Sequence, residues 1–228
     1  MEKRTIQAAV ALPLALSLVF LCACAPRLVG EEAAKRAGLA LLREAFDICE
    51  TDAQVEYFES AGTSVVNNRE VQPDGGMPVQ IYLVTIPDET GEAELYYVEV
   101  DAKTGVAYYA AKSEWLLAPL TEEQQQRAIK QKTAPEGAEE DAMLQNDGTE
   151  AFIGDYVTRR FQKEVALVSP EDGCCRESVL SARIRIGYFV TFADGSLYRV
   201  GFSWPTMELE EVQLMEAAPE GEAHGTEP

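Results

Sequence analysis

The chain has 228 residues and a formal net charge of −20, from 39 Asp and Glu against 19 Lys and Arg. Apolar residues make up 46% and charged residues 25%, the balance of an ordinary globular chain, which excludes collagenous, coiled-coil and wholly disordered readings. The acidity argues against nucleic acid as a partner, because counterion release needs clustered Lys and Arg. The single histidine, His224, lies in a polar tail, which argues against a mechanism built on a positioned imidazole.

Met1-Glu-Lys-Arg4 is a short charged start, and residues 8–23 form an uncharged Leu/Ala/Val-rich run ending in small residues. That is the layout of a secretory signal peptide. The run exits through Leu21-Cys22-Ala23-Cys24, which resembles the lipobox of bacterial lipoproteins, with Leu21 at −3, Ala23 at −1 and Cys24 at +1. Cys22 departs from the usual Ala, Ser or Thr at −2. The resemblance implies a diacylglycerol on the Cys24 thiol, cleavage between Ala23 and Cys24, and retention on the extracytoplasmic face of a membrane. Each buried methylene of such a lipid contributes about 0.8 kcal/mol. The rival is an uncleaved anchor, since residues 5–26 are 22 uncharged residues and long enough to span a bilayer. Pro13 and the Cys-Ala-Cys-Ala-Pro exit favour cleavage. Residues 1–23 are then the signal and 24–30 a tether.

Residues 31–49 read as a helix. It opens with Glu31-Glu32, acids suited to the positive end of the dipole. Leu39, Leu42, Phe46 and Cys49 recur at helical spacing, widened by Ala34, Leu41 and Ala45. Gly38 inside it points to a close approach to a sheet. Strand-like segments follow at 54–59, 63–67, 79–86, 94–100 and 106–110, with a Pro- and Gly-bearing loop at 67–78. Asp101-Ala-Lys-Thr-Gly105 is a tight reversal, in which Asp caps the turn and Gly supplies positive φ.

The run Tyr97-Val-Glu-Val-Asp101-Ala-Lys-Thr-Gly105-Val106, preceded by a helix opening Glu-Glu-Ala-Ala, resembles the closing hairpin of a PepSY domain. The resemblance covers residues 31–112. It implies a helix packed on an antiparallel sheet, an extracytoplasmic setting, and a role in restraining peptidases or binding envelope partners. It carries over no catalytic residues.

Beyond it, Trp115, Leu116, Leu117 and Leu120 are expected to pack on the first unit, and Thr121-Glu-Glu-Gln124 reads as a capping box opening a polar helix. Residues 132–140 contain Pro135 and Gly137 and read as a linker. A second unit repeats the helix-then-sheet pattern. Asp147-Gly148-Thr149 starts a helix with Phe152, Ile153, Tyr156, Val157, Arg160 and Phe161 on one face. Residues 164–169 form a strand, and residues 184–192 alternate as the cleanest strand in the chain. Asp194-Gly195 marks a hairpin, 197–204 return, and 207–215 form a last strand or edge segment. The expected fold is α+β: two helix-on-antiparallel-sheet, PepSY/cystatin-like units in tandem, at 31–120 and 139–216. A polar helix and linker lie between them at 121–138, and a disordered tail follows at 217–228.

Few residues survive as candidates for chemistry. Cys49, Cys174 and Cys175 remain besides the anchor. They read as one buried thiol on a helix and two in a loop; a bridge from Cys49 to one of the pair, or a redox or metal role, are the alternatives. Glu139, Glu140, Asp141 and Asp147 lack the pattern of a calcium loop. Ser196 and Ser203 have no partner His and no Gly-x-Ser-x-Gly. Gly75-Gly76 is followed by no Lys or helix and is no phosphate loop. No catalytic residue, metal ligand or cofactor is expected. Tyr96, Tyr97, Tyr108 and Tyr109 form the candidate binding surface, because one member of each pair should face away from the core and Tyr is enriched at interfaces. Arg183 and Arg185 share the outer face of their strand with Phe189, as edge protection or a docking stripe. The expectation is a membrane-held binding or regulatory module for an unidentified envelope protein. The alternative is a carboxylate-dependent enzyme or accessory subunit of an envelope enzyme.

Overall fold

The structure, a computed structural model, describes residues 28–60, 64–66, 69–71, 79–132, 147–171, 176–177 and 183–216. Helix α1 (Glu31–Phe46) leads into β1 (Gln54–Ser60), the small hairpin β2 (Ser64–Val66) and β3 (Arg69–Val71), then β4 (Val79–Pro87), β5 (Glu94–Asp101) and β6 (Ala107–Lys112). A single 3-10 turn (Glu114–Leu116) and α2 (Glu122–Lys132) follow. The second half is α3 (Asp147–Phe161), β7 (Val165–Pro170), β8 (Arg176–Glu177), β9 (Ile184–Phe192), β10 (Leu197–Trp204) and β11 (Glu208–Glu216).

Helix α1 ends three residues before the expected Cys49. Asp47 takes a left-handed conformation at φ 61°, and its N–H bonds back to the Arg43 carbonyl. Cys49 therefore lies past the helix as an exposed free thiol rather than a buried one. The capping box of α2 forms as read: Gln124 N–H donates to Thr121 Oγ1 at 3.3 Å and Thr121 N–H to Gln124 Oε1 at 2.9 Å.

The strands make one nine-stranded antiparallel sheet in the order β1-β4-β5-β6-β11-β10-β9-β7, with β8 also on β9 and β2-β3 standing apart. The α+β class and the antiparallel sheet are as expected. The two separate sheets expected from the sequence are instead one. The reason is β11: expected as a last or edge strand, it lies at the centre, between β10 and β6. Strand β9, for whose arginines edge protection is one of two readings, is likewise internal.

The two halves nevertheless share a topology. In each, a helix precedes a strand that becomes the outer one, and three further strands run inward in chain order. Even the irregularities correspond. Opposite β5 the register slips between Glu99↔Tyr109 and Val100↔Ala107; opposite β10 it slips between Gly201↔Glu211 and Phe202↔Leu209. The halves meet through Glu211↔Ala111, Val212↔Ala110 and Gln213↔Tyr109. The turn equivalent to residues 101–106 is thus the one between β10 and β11, not the Asp194-Gly195 hairpin that the sequence suggests.

Both helices cover the same side of the sheet. Ala34, Leu41 and Leu42 of α1 pack on Tyr82, Val84, Val98, Val100 and Ala110, while Ile153, Val157 and Phe161 of α3 pack on Ile186, Tyr188, Val190, Val200, Phe202 and Val212. Phe46 touches both clusters, and Ala45 belongs to the second, so the end of α1 bridges them. The close approach read from Gly38 is present: a Cβ built there would stand 3.0 Å from three side-chain atoms of Val84. Val84 is β-branched and fully buried, so it has little room to yield.

Two outcomes follow. Gly38→Ala gains about 1 kcal/mol of helix propensity but overpacks at a cost of about 1–3 kcal/mol, so a net loss is expected in urea unfolding. That loss should vanish when Val84 is also Ala. And a chain cut once between residues 133 and 146 should still elute as one species without denaturant, because β11 of one half is hydrogen-bonded to β6 of the other; separation of the pieces would refute this.

Candidate functional site

The other side of the sheet, the open face, is not covered by α1 or α3, and there the chain concentrates its buried polar groups. Strand alternation sends Tyr97 and Glu99 to this open face. At the register slip in β6, Tyr108 is an extra residue between Ala107 and Tyr109. It consequently joins Tyr109 on the open face, and its Oη donates to Glu99 Oε2 at 2.7 Å. The matching slip in β11 brings Glu210 and Glu211 to the same face, where both meet Arg185.

Glu211 is the hub. It accepts from Tyr109 Oη at 2.9 Å, from Arg185 Nη1 at 3.4 Å and from Arg199 Nη1. Arg185 Nε also donates to Glu210 Oε2 at 2.6 Å, and Arg199 Nε to Glu171 Oε2 at 2.7 Å. Tyr97 Oη lies 3.3 Å from Tyr109 Oη. Gly201 makes this possible. A Cβ there would fall 2.6 Å from Glu211 Cγ, so only glycine lets the glutamate lie across β10 toward the arginines. Glu99, Glu210 and Glu211 are 3%, 3% and 5% exposed.

Burial of that order penalises ionisation. For Glu211 burial pushes the carboxyl up, but Arg199 and Arg185 outweigh it and hold the group below the ordinary carboxylate range. Burial, then the Glu211 charge, pushes the Tyr109 hydroxyl well above the usual tyrosine range; burial and Glu99 do the same to Tyr108. The cluster is therefore an ionised carboxylate between guanidiniums, flanked by neutral phenols.

Beside it, Arg183 Nη1 donates to Ser203 Oγ and Thr206 Oγ1, both at 3.0 Å, and its Nη2 to the Ala118 carbonyl. Glu208 accepts from Lys112 Nζ at 3.3 Å and from Ala118 N–H at 3.3 Å. These contacts fasten the chain leaving β6 to the start of β11.

The four tyrosines expected as a binding surface are thus divided. Tyr96 turns to the helix side, its ring 5.8 Å from Phe46. Tyr97, Tyr108 and Tyr109 are on the open face, engaged with one another and with carboxylates, and Tyr109 is buried. One per pair facing outward holds for Tyr96 and Tyr97; the extra residue in β6 overturns it for Tyr108 and Tyr109. Arg183 and Arg185 do share the open face, but as partners of internal side chains. Ser203 accepts from Arg183, and Ser196 donates to Asp194, whose carboxyl is lowered to about 2 by bonds from the Ser196 hydroxyl and N–H and from Lys163. Ala23, Cys24, residues 139–141 and Cys174 and Cys175 lie outside the described residues. The chain is described from Leu28, and Val29 N–H already bonds the Ala102 carbonyl at 2.9 Å, beside Gly105. Sequence reading missed Arg199, Glu210 and Glu211. Their signal was an Arg inside an otherwise apolar strand and an acid pair breaking the alternation of the next.

Among the described residues no group of three or more His, Cys, Asp or Glu is placed to hold a metal ion, and no helix is long and apolar enough to cross a membrane. No family model and no curated protein matches the chain. It is similar in structure to the Bacillus megaterium YpeB C-terminal domain at a TM-score of 0.35 and 13% identity, over 82% of this chain. The match spans 63% of that domain's chain.

The network fixes the pH dependence of stability. A lowered Glu211 pKa contributes stability that is complete above the unfolded value near 4.5 and lost as pH falls through the folded one. A raised Tyr109 pKa has the opposite range: its contribution is constant below the unfolded value of 10.0 and declines as pH rises past it. Tyr109→Phe should therefore flatten the alkaline limb of stability against pH by up to about 1.4 kcal/mol per pH unit. Glu211→Gln, which leaves two guanidiniums short of a charge, should lose about 3 kcal/mol at pH 7. Equilibrium denaturation from pH 4 to 11 reads both, and an unchanged alkaline limb in Tyr109→Phe would refute the first.

Proposed function

We propose that this chain is a lipid-anchored protein on the extracytoplasmic face of a bacterial membrane that works by binding, holding a PepSY-like module where it restrains a peptidase or another envelope protein. The observation that carries the reading is where the anchor motif stands relative to the fold. Cys24 is four peptide steps from Leu28, at most about 14 Å of extended chain, and Val29 is already hydrogen-bonded to the turn after β5. A lipid on Cys24 would hold the module close to the bilayer and confine it, so that even weak contacts with other membrane-bound proteins are strengthened by effective concentration. The net charge of −20 steers it toward basic surfaces.

The alternative, a carboxylate-dependent enzyme or its accessory, draws on the convergence of Glu99, Glu210 and Glu211. A general acid at neutral pH needs a carboxyl raised toward 7. Glu211 is held in the other direction by two guanidiniums, which favours a structural use.

Cys24→Ala should release the protein from the membrane fraction or leave it unprocessed, as read by fractionation and intact-mass analysis. A mature protein that begins at another residue and carries no lipid would overturn the anchor. Turnover of a small substrate, abolished by one carboxylate substitution in a variant that still folds, would overturn the binding class.

A further inference from the structure

Among the described residues the sheet has two edges, and they are built differently. The β7 edge is interrupted: its register on β9 slips between Val165 and Leu167, and it ends on Pro170. Those are the devices that keep a free edge from recruiting another strand. The β1 edge has neither. Its seven residues pair with β4 in unbroken register from Gln54↔Thr85 to Ser60↔Val79. It contains no Pro, Lys or Arg, and neither do β4 or β5 beyond the terminal Pro87. Along it Glu56, Tyr57, Phe58 and Glu59 are exposed, Tyr57 and Phe58 by 36% and 47%. Every second residue of such a strand directs its N–H and C=O away from the sheet.

We infer that β1 is the docking edge, and that its ligand is an extended segment of a partner protein added antiparallel as a further strand, with two basic residues flanking two apolar ones. The sequence Glu56-Tyr-Phe-Glu59 specifies that ligand. Its acids are three apart and so lie on opposite faces of the strand, each beside one aromatic. The antiparallel complement is Lys-apolar-apolar-Lys, with a cation opposite each acid and an apolar residue opposite each ring. The same pattern disfavours a second copy of this chain: the antiparallel self-pairing that sets Tyr57 opposite Phe58 also sets Glu56 opposite Glu59 twice. Main-chain bonds supply affinity in this mode of recognition and the side-chain pattern supplies selectivity. The assignment rests on the binding reading above but not on the lipid.

The test uses the full-length chain in non-ionic detergent and a fluorescent peptide, Thr-Thr-Lys-Val-Val-Lys-Thr-Thr. Two controls accompany it: the Glu-for-Lys peptide, and a Lys peptide N-methylated at the residues whose N–H would face β1, which keeps the charge but cannot form the ladder in that register. Saturable binding of the Lys peptide alone is expected, with hydrogen-exchange protection appearing in residues 54–60. The exposed double substitution Glu56→Lys and Glu59→Lys should weaken it about tenfold or more and transfer preference to the Glu peptide. Equal binding of the N-methylated peptide would mean general attraction to an acidic protein and would overturn the proposal. Absence of binding by the Lys peptide would also overturn it. So would concentration-dependent self-association lost in Phe58→Lys, which would give the edge to a second copy. Failure of the Cys24 test leaves each of these outcomes readable.

Discussion

The fold depends on three residue pairs. Strands β6 and β11 meet through Ala111, Ala110 and Tyr109 against Glu211, Val212 and Gln213, and among the described residues this short ladder is all that joins the two halves of the sheet by backbone bonds. Without it the halves would be a four-stranded and a five-stranded layer, each with a free inner edge able to pair with any other strand. With it, four edges become two. The join is antiparallel and involves the corresponding strand of each half, so it has the form of a self-complementary contact made within one chain. Ala110 and Ala111 carry small side chains at the seam, which leaves room for Glu211 and Val212 to pack over it on opposite faces.

The charge network stands on that seam and sets its register. Buried ion pairs contribute little net stability, since desolvation offsets most of the attraction, but losing one partner is costly. Glu211 draws its partners from β6, β9 and β10 at once. A slip of one residue between β6 and β11 would carry the glutamate to the helix-covered face, among Val98, Val200 and Phe202 and away from Arg185 and Arg199. The polar cluster therefore discriminates against wrong pairings more than it strengthens the right one. Arg183 and Glu208 extend the same logic to the chain between β6 and α2, fastening it to the start of β11.

What the sequence made legible was local. Helical spacing at Leu39, Leu42 and Phe46 and strict alternation at Ile184 to Phe192 placed elements to within a few residues, because each pattern repeats with the period of the backbone itself. Gly38 disclosed a contact before its partner was known. The meeting of the halves was hidden, since nothing in residues 208–216 says which strand lies on their second side; a strand ending the chain reads the same whether it closes a sheet or joins two. The candidate site suffered from the same cause twice. A single extra residue in β6 and another in β11 turn side chains to the face opposite the one alternation gives them, and neither Tyr-Tyr nor Glu-Glu announces a bulge. Gly201 was readable only once Glu211 was seen lying over it.

The halves differ on one face and agree on the other. On the helix side the matched positions remain apolar: Val98 and Val200, Val100 and Phe202, Ala110 and Val212. On the open side Glu99 corresponds to Gly201, Tyr97 to Arg199, and the pair Tyr108 and Tyr109 to Glu210 and Glu211. The substitutions are reciprocal. Acid stands opposite phenols in the first half, and glycine opposite acids in the second, so that Glu211 lies over the vacated position toward Arg185 and Arg199 while Tyr109 of the first half reaches its carboxylate from the other side. Two copies of the second half would have set glutamates against each other across the seam. The difference between the halves supplies unlike groups instead, and it is this complementarity that commits the inner edges to each other and leaves β1 and β7 as the outer strands among the described residues.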